Sequence, residues 1–323
     1  VLLPFIDGVD ALGVATVSAA IELRQLGYSQ LIVLMPGFCD AADLLACITY
    51  QVIPVIHSWY QIDLLSQMDQ QSRIDCWLKV DTGMSRLGFS CAEFPDSLKQ
   101  LLSFSTVSQD ALVIVSHLAT ADDVDDVRSE EQTRCFEQVT QGLSMQKSLC
   151  NSAALFRFPR CHYDWVRPGI ALYGISPLIG VSAAELNLRP VMTLKARIIA
   201  IRNLCEGEYI GYGGVYQCSR PTRIAVVNIG YGDGYPRNAP QNTPVLVKGV
   251  RCPLVGRVSM DMLTIDITHL SDISSEDEVV LWGEGLPVNE VAACIGDLTY
   301  EMLAKVTSRV EIKIASSHLS VSS

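Results

Sequence analysis

The chain has 323 residues, is 49% hydrophobic and 18% charged, and carries a formal net charge of −11. At roughly 150 residues per domain it is long enough for two domains or one large α/β barrel with an addition, and its composition excludes a disordered, collagen-like or coiled-coil chain. Lys+Arg number 24 against 35 Asp+Glu with no basic cluster, which argues against a nucleic-acid partner, and apolar runs such as 31–36 and 111–115 fall far short of the roughly 18 residues of a membrane helix.

From residue 12 to about 175, short β-rich runs alternate with helix-like stretches, the pattern of parallel strands joined by helical crossovers. Strands are expected at 12–16, 31–35, 52–57, 76–81, 112–117, 148–150 and 166–173, seven in all. A parallel sheet that closes on itself normally uses eight strands and leaves no free edge, so the expected fold is an α/β protein with a (β/α)8-type barrel lacking its first strand. An open doubly wound sheet fits less well, since no G-x-G-x-x-G follows any of these strands. After Pro190 the segments 192–201, 224–229, 245–250, 253–258, 262–267 and 279–282 read as a mostly antiparallel β domain, with short helices at 288–295 and 300–306 and a polar tail at 316–323. The expected domains are 1–185, the barrel, and 186–323, the β domain.

Eleven cysteines occur with no C-x-x-C pair and no zinc-like spacing, and Val1-Leu2-Leu3-Pro4 has neither the charged start nor the apolar run of a secretory signal. Reduced thiols, no metal and a cytoplasmic location are the expectation.

Several segments hold candidate chemistry. Asp81-Thr-Gly-Met-Ser-Arg86-Leu-Gly88 directly follows a strand, which in a barrel places it at the C-terminal mouth; Arg86 there suits a carboxylate clamp, or is a surface arginine beside a turn. His117 in Ser116-His117-Leu-Ala-Thr-Ala-Asp122 ends another strand, as a proton-transfer group or a structural histidine. Asn151-Ser152-Ala-Ala and Arg167-Pro-Gly169-Ile170 sit where barrels build phosphate sites from backbone N–H groups, or are ordinary tight loops. Tyr212 and Tyr231 stand between glycines in turns that expose a phenol, a pattern also common in plain β structure. Gly256-Arg-Val-Ser-Met260-Asp261, Thr299-Tyr300-Glu301 and Ser308-Arg309-Val310 are weak signals singly.

In this order, Lys79-Val-Asp-Thr-Gly-Met-Ser-Arg86, Ser116 to Asp122, Arg167-Pro-Gly-Ile-Ala-Leu-Tyr-Gly174 and Gly256 to Asp261 resemble the alanine racemases, from about Leu12 to Val310. The resemblance implies an isomerase that uses pyridoxal 5'-phosphate (PLP) and interconverts L-alanine and D-alanine through an aldimine by two-base proton transfer, supplying D-alanine as a peptidoglycan precursor. It implies that one base is the PLP lysine and the other Tyr212, backed by His117 and then Arg167, with Arg167 facing the pyridine nitrogen. Ser152, the Gly169 and Ile170 amides and Tyr300 match phosphate contacts, while Arg86 and the Met260 amide match substrate-carboxylate contacts. Tyr231 matches a residue at a narrow entrance, and Lys79 one that supports the arginine, in some members as a carbamate. The working unit implied is a homodimer with shared active sites.

The family's PLP-lysine motif, of the form A-V-V-K-A-N-A-Y-G-H-G, occurs nowhere in these residues. Leu2 to Asp10 correspond to the end of the helix after that strand, so the chain reads as N-terminally truncated and is expected to be inactive alone. Other readings are a broad-specificity amino-acid racemase of the same fold, a basic-amino-acid decarboxylase, which the cation at Arg167 disfavours, and a non-catalytic fragment.

Overall fold

A computed structural model describes residues 8–314. Residues 2–7 of the expected helix end and the tail at 316–323 lie outside these. The chain forms two compact units, the first running to Ala171 and taking in Pro177–Ser182, the second made of Leu172–Ser176 and everything from Ala183 onward.

The first unit alternates strand and helix: β1 Ala11–Val14, α1 Val17–Gln25, β2 Leu31–Leu34, α2 Ala41–Thr49, β3 Ile53–Ile56, α3 Trp59–Ser66, β4 Trp77–Asp81, β5 Phe89–Ser90, α4 Phe94–Ser103, β6 Val113–Val115, α5 Arg128–Val139, β7 Gln146–Asn151, α6 Ser152–Arg157 and β8 Trp165–Arg167. The parallel sheet runs β1-β2-β3-β4-β6-β7-β8, with the two-residue β5 added beside the end of β4. All seven expected strands are there, in chain order, as a barrel-like sheet.

Three helices begin where a side chain captures an orphan amide. Thr16 accepts the Ala19 N–H ahead of α1, Asp40 the Asp43 N–H ahead of α2, and Asn151 the Ala154 N–H ahead of α6. Strand alternation sorts the interior. Val33, Ile53, Val55, Trp77, Val113 and Val115 pack as one apolar cluster, joined by Ala11, Met35 and Trp165. The residues between them, including Ile32, Leu34, Ile56, Leu78 and Ile114, are buried on the opposite, helix-covered face.

One expected strand needs correction. The run 166–173 is strand only to Arg167, because Pro168 has no N–H for the ladder, and Ile170–Tyr173 coil into a 3-10 turn.

The second unit is built on β9 Leu194–Leu204, β10 Tyr209–Ile210, β11 Tyr216–Gln217, β12 Thr222–Val227, β13 Pro244–Val247, β14 Val250–Pro253, β15 Leu263–Asp266 and β16 Glu278–Trp282, followed by α7 Val288–Ile295 and α8 Thr299–Lys305. Its main sheet is antiparallel, in the order β14-β13-β16-β9-β12-β15. The expected strands 245–250 and 253–258 become one hairpin. Lys248 and Gly249 have φ of 50° and 79°, so Val247 and Val250 pair across a two-residue turn of the kind that matches strand twist, and 254–258 leave the ladder apart from a bridge at Leu254.

Gly88 allows β5 to reach β4. A Cβ there would lie 2.6 Å from the Asp81 amide nitrogen and 2.8 Å from the Val80 carbonyl carbon, at a φ of 124°. Both obstacles are backbone and cannot swing aside. Gly88→Ala is therefore expected to destabilise the first unit by about 2 kcal/mol or more. Denaturant unfolding reads this, and a change within about 0.5 kcal/mol, the range of an ordinary surface substitution, would contradict it.

Candidate active site

The alternation that fills the barrel interior also loads its C-terminal end. Two residues beyond Trp77 on the same face stands Lys79, two beyond Trp165 stands Arg167, and two beyond Val115 and Val55 stand His117 and His57. Basic groups thus crown an apolar plug at the end where barrel loops gather.

Arg167 is the knot. Its Nη1 donates to Ser148 Oγ at 2.5 Å, and its Nη2 donates to the carbonyls of Ser116 at 2.6 Å and Leu149 at 3.3 Å and to His117 Nδ1 at 3.3 Å. Burial lowers the guanidinium to about 10, which leaves it charged at neutral pH. A guanidinium has no acceptor, so His117 must receive this bond at Nδ1 and, when neutral, hold its proton on Nε2. Burial, then the charges of Arg167, Lys79 and Arg86, push the imidazole down to about 3. The pair therefore offers a neutral Nε2–H donor backed by a fixed cation.

Lys79, 7% exposed, is lowered to about 8 by burial and then by Arg167 and Arg86, against the pull of Asp81. Its ammonium is poised to lose a proton near neutrality. Asp81 shapes the next loop: its Oδ1 accepts the amides of Gly83, Met84 and Ser85 at 2.9, 2.9 and 3.1 Å, so the turn that delivers Arg86 is wound around one carboxylate oxygen. Arg86 itself is exposed.

Ser152, buried at the start of α6, gathers a second set of donors. Its Oγ accepts the Gly169 amide at 2.7 Å and the Ala171 amide at 3.4 Å. Ile170, the residue between the two donors Gly169 and Ala171, is buried. Backbone N–H groups already converge here on one oxygen, which is what a phosphate monoester requires.

In the second unit Tyr212 is 73% exposed on the turn between β10 and β11. A Cβ on Gly211 would lie 3.5 Å from the Arg257 amide, so this turn abuts the segment 256–261. Tyr231 N–H donates to Ser259 O at 3.0 Å and Gly232 N–H to Met260 O at 2.8 Å, which brings Tyr231 to the same segment. Arg309 fixes both loops, with Nη2 2.6 Å from Asp261 Oδ1 and Nε 3.3 Å from Asp233 Oδ1. Tyr300, on the first turn of α8, is exposed. Tyr212, Tyr231 and Met260 form one group, and Lys79, Arg86, His117 and Arg167 another.

Sequence reasoning passed over several members. Gln132 on α5 donates to His117 O at 3.0 Å and accepts the Ala119 amide at 2.8 Å, holding the histidine's loop from behind. His57 donates Nε2–H to Pro36 O at 2.8 Å and is lowered by burial, with Lys79 adding to that. Ser148 Oγ–H donates a hydrogen bond to Trp165 O at 3.0 Å while accepting one from Arg167. Only the end-of-strand position of His57 could have been found beforehand.

Sequence profiles of known families match both units. "Alanine racemase, N-terminal domain" covers residues 2–177 and "Alanine racemase, C-terminal domain" residues 191–314. An alanine racemase of Vibrio cholerae is 45% identical over 305 residues, 94% of this chain and 84% of that protein. The crystal structure of the biosynthetic alanine racemase of Pseudomonas aeruginosa superposes with a TM-score of 0.92 at 42% identity, over 96% of this chain and 86% of that one. That of the Bartonella henselae alanine racemase, described as having covalently bound pyridoxal phosphate, gives 0.83 at 29% identity over 94% and 84%.

The His117 ring should show no titration from pH 8 to pH 5 when followed by NMR; an inflection between 6 and 7 would contradict the buried-cation environment. The folded value of about 3 lies below the ordinary value near ~6.5, so the group's contribution to stability is complete above the latter and is lost as pH falls from there towards 3.

Proposed function

The chain belongs to the alanine racemase family of PLP-dependent isomerases, and from that premise we propose that it interconverts L-alanine and D-alanine by moving a proton between the two faces of Cα. The observation that carries the reading is the half-buried Arg167 guanidinium bonded to His117 at the mouth of a barrel, beside a corner of converging amides.

PLP, when bound, acts as an electron sink that makes the substrate Cα–H acidic. The residues present suit that group. Ser152 with the Gly169 and Ile170 amides would take its phosphate, while Lys79, Arg86 and Arg167 make the barrel end attractive to an anion. Arg167 would hold the ring of that group, and as a cation that keeps its protons it would leave the ring nitrogen unprotonated and the electron sink weak. A weak sink favours prompt return of the proton over competing losses.

Tyr212 is the second base. A phenol, ordinarily near ~10, needs help to lose its proton at neutral pH. The His117 Nε2–H supplies a donor to the phenolate, and the Arg167 cation behind it favours that charge. Arg86 and the Met260 amide bind the substrate carboxylate, Lys79 supports Arg86, and Tyr231 narrows the entrance to favour a methyl side chain. The working unit is a homodimer in which Tyr212 and Met260 of one protomer complete the partner's site; their exposure of 73% and 52% supports this. The eleven cysteines, all free thiols, support a reducing compartment such as the cytoplasm.

No residue in the given sequence matches the family's PLP lysine, so no turnover is expected from these 323 residues alone. Turnover is expected once they are joined to a first strand bearing the A-V-V-K-A-N-A-Y-G-H-G motif. Chiral analysis of alanine after incubation with PLP tests both statements. Racemisation by the 323 residues alone overturns the first, and a joined protein that binds PLP without racemising alanine overturns the second. In the joined protein Tyr212→Phe should lower kcat by about 100-fold or more with PLP still bound, since positioned acid–base groups contribute on that order. Arg167→Glu should raise transamination relative to racemisation; an unchanged ratio would count against the weak-sink account.

A further inference from the structure

Cys91, immediately after β5, and Cys135, on α5, place their sulfur atoms 2.7 Å apart although they are 44 residues distant in sequence. Both are free and partly exposed, and Cys91 Sγ also donates to Asp81 O at 3.6 Å. We propose that Cys91 and Cys135 form a dithiol modification site that reacts with low-molecular-weight disulfides and closes into a Cys91–Cys135 disulfide.

The remaining cysteines lack this arrangement among the described residues: no other sulfur–sulfur contact joins two of them. In the first step the Cys91 thiolate attacks the incoming disulfide, its S–S bond breaks, and one low-molecular-weight thiol leaves with the Cys91 proton. In the second, Cys135 attacks the Cys91 sulfur of the mixed disulfide, the second low-molecular-weight thiol leaves, and it carries the Cys135 proton. Two protein thiols are oxidised and one small disulfide is reduced to two thiols. Burial and the neighbouring Cys91 push the Cys135 thiol up, which disfavours its thiolate as the first nucleophile.

The bond would fasten two loops of the barrel end. Cys91 lies next to the strand that pairs with Val80 and Asp81, the root of the Arg86 turn. Cys135 lies three residues along α5 from Gln132, which holds His117 and Ala119, and a Cβ at Gly83 would lie 3.4 Å from Gln132 Cγ. Closing a loop of this length constrains the unfolded chain and raises the unfolding temperature.

The test needs no activity. The protein is incubated with glutathione disulfide, blocked with N-ethylmaleimide, and mapped by mass spectrometry without reduction. The expected result is a Cys91–Cys135 linked peptide pair, lighter by two hydrogen masses, with an upward shift in unfolding temperature that dithiothreitol reverses. Cys135→Ser should instead retain a glutathione adduct on Cys91. Full alkylation of both cysteines after oxidant, or linkage of either to a different cysteine, overturns the proposal.

Discussion

One half-buried guanidinium organises the first unit. Arg167 reaches from the end of β8 to carbonyls following β6 and within β7, to the Ser148 hydroxyl and to the His117 ring. A cation held away from water is tolerable only where its donors are met, and here each partner is either a backbone carbonyl or a side chain that can only accept from it. The tautomer of His117 and its resistance to protonation follow from this arrangement, as does the lowered proton affinity of Lys79. Moving β8 by one residue would turn Arg167 to the opposite face and undo all of it.

Much of this was legible before any coordinates. The β-to-α rhythm gives all seven path strands of the barrel-like sheet, and the positions of Lys79, His117 and Arg167 at strand ends follow from the alternation of Trp77, Val115 and Trp165. Less visible were contacts that depend on register over long stretches. Gln132 serves His117 from 15 residues away, and Arg167 meets Ser116 O across 51. No local pattern encodes such pairs, because they exist only once parallel strands are aligned. The hairpin at Lys248-Gly249 was hidden for another reason: lysine is an unusual choice for a left-handed turn position, so the apolar run read as continuous.

The second unit solves a different problem. Tyr212, Tyr231 and Met260 must be presented while remaining fixed, and the chain does this with backbone bonds to the 256–261 segment and with Arg309 bridging Asp233 and Asp261. These two ion pairs are about half exposed on the arginine side and owe their value to geometry more than to charge. Elsewhere in this unit Tyr235 stacks on Trp282 with centroids 5.9 Å apart, both rings buried.

Because the barrel strands are laid down in chain order, each new strand pairs with the one before it, and little of the chain waits for a distant partner. The exception is the polar centre. The carbonyls of Ser116 and Leu149 precede Arg167 by 51 and 18 residues, so the bonds that tie three strands together at this end depend on the last of them being in place.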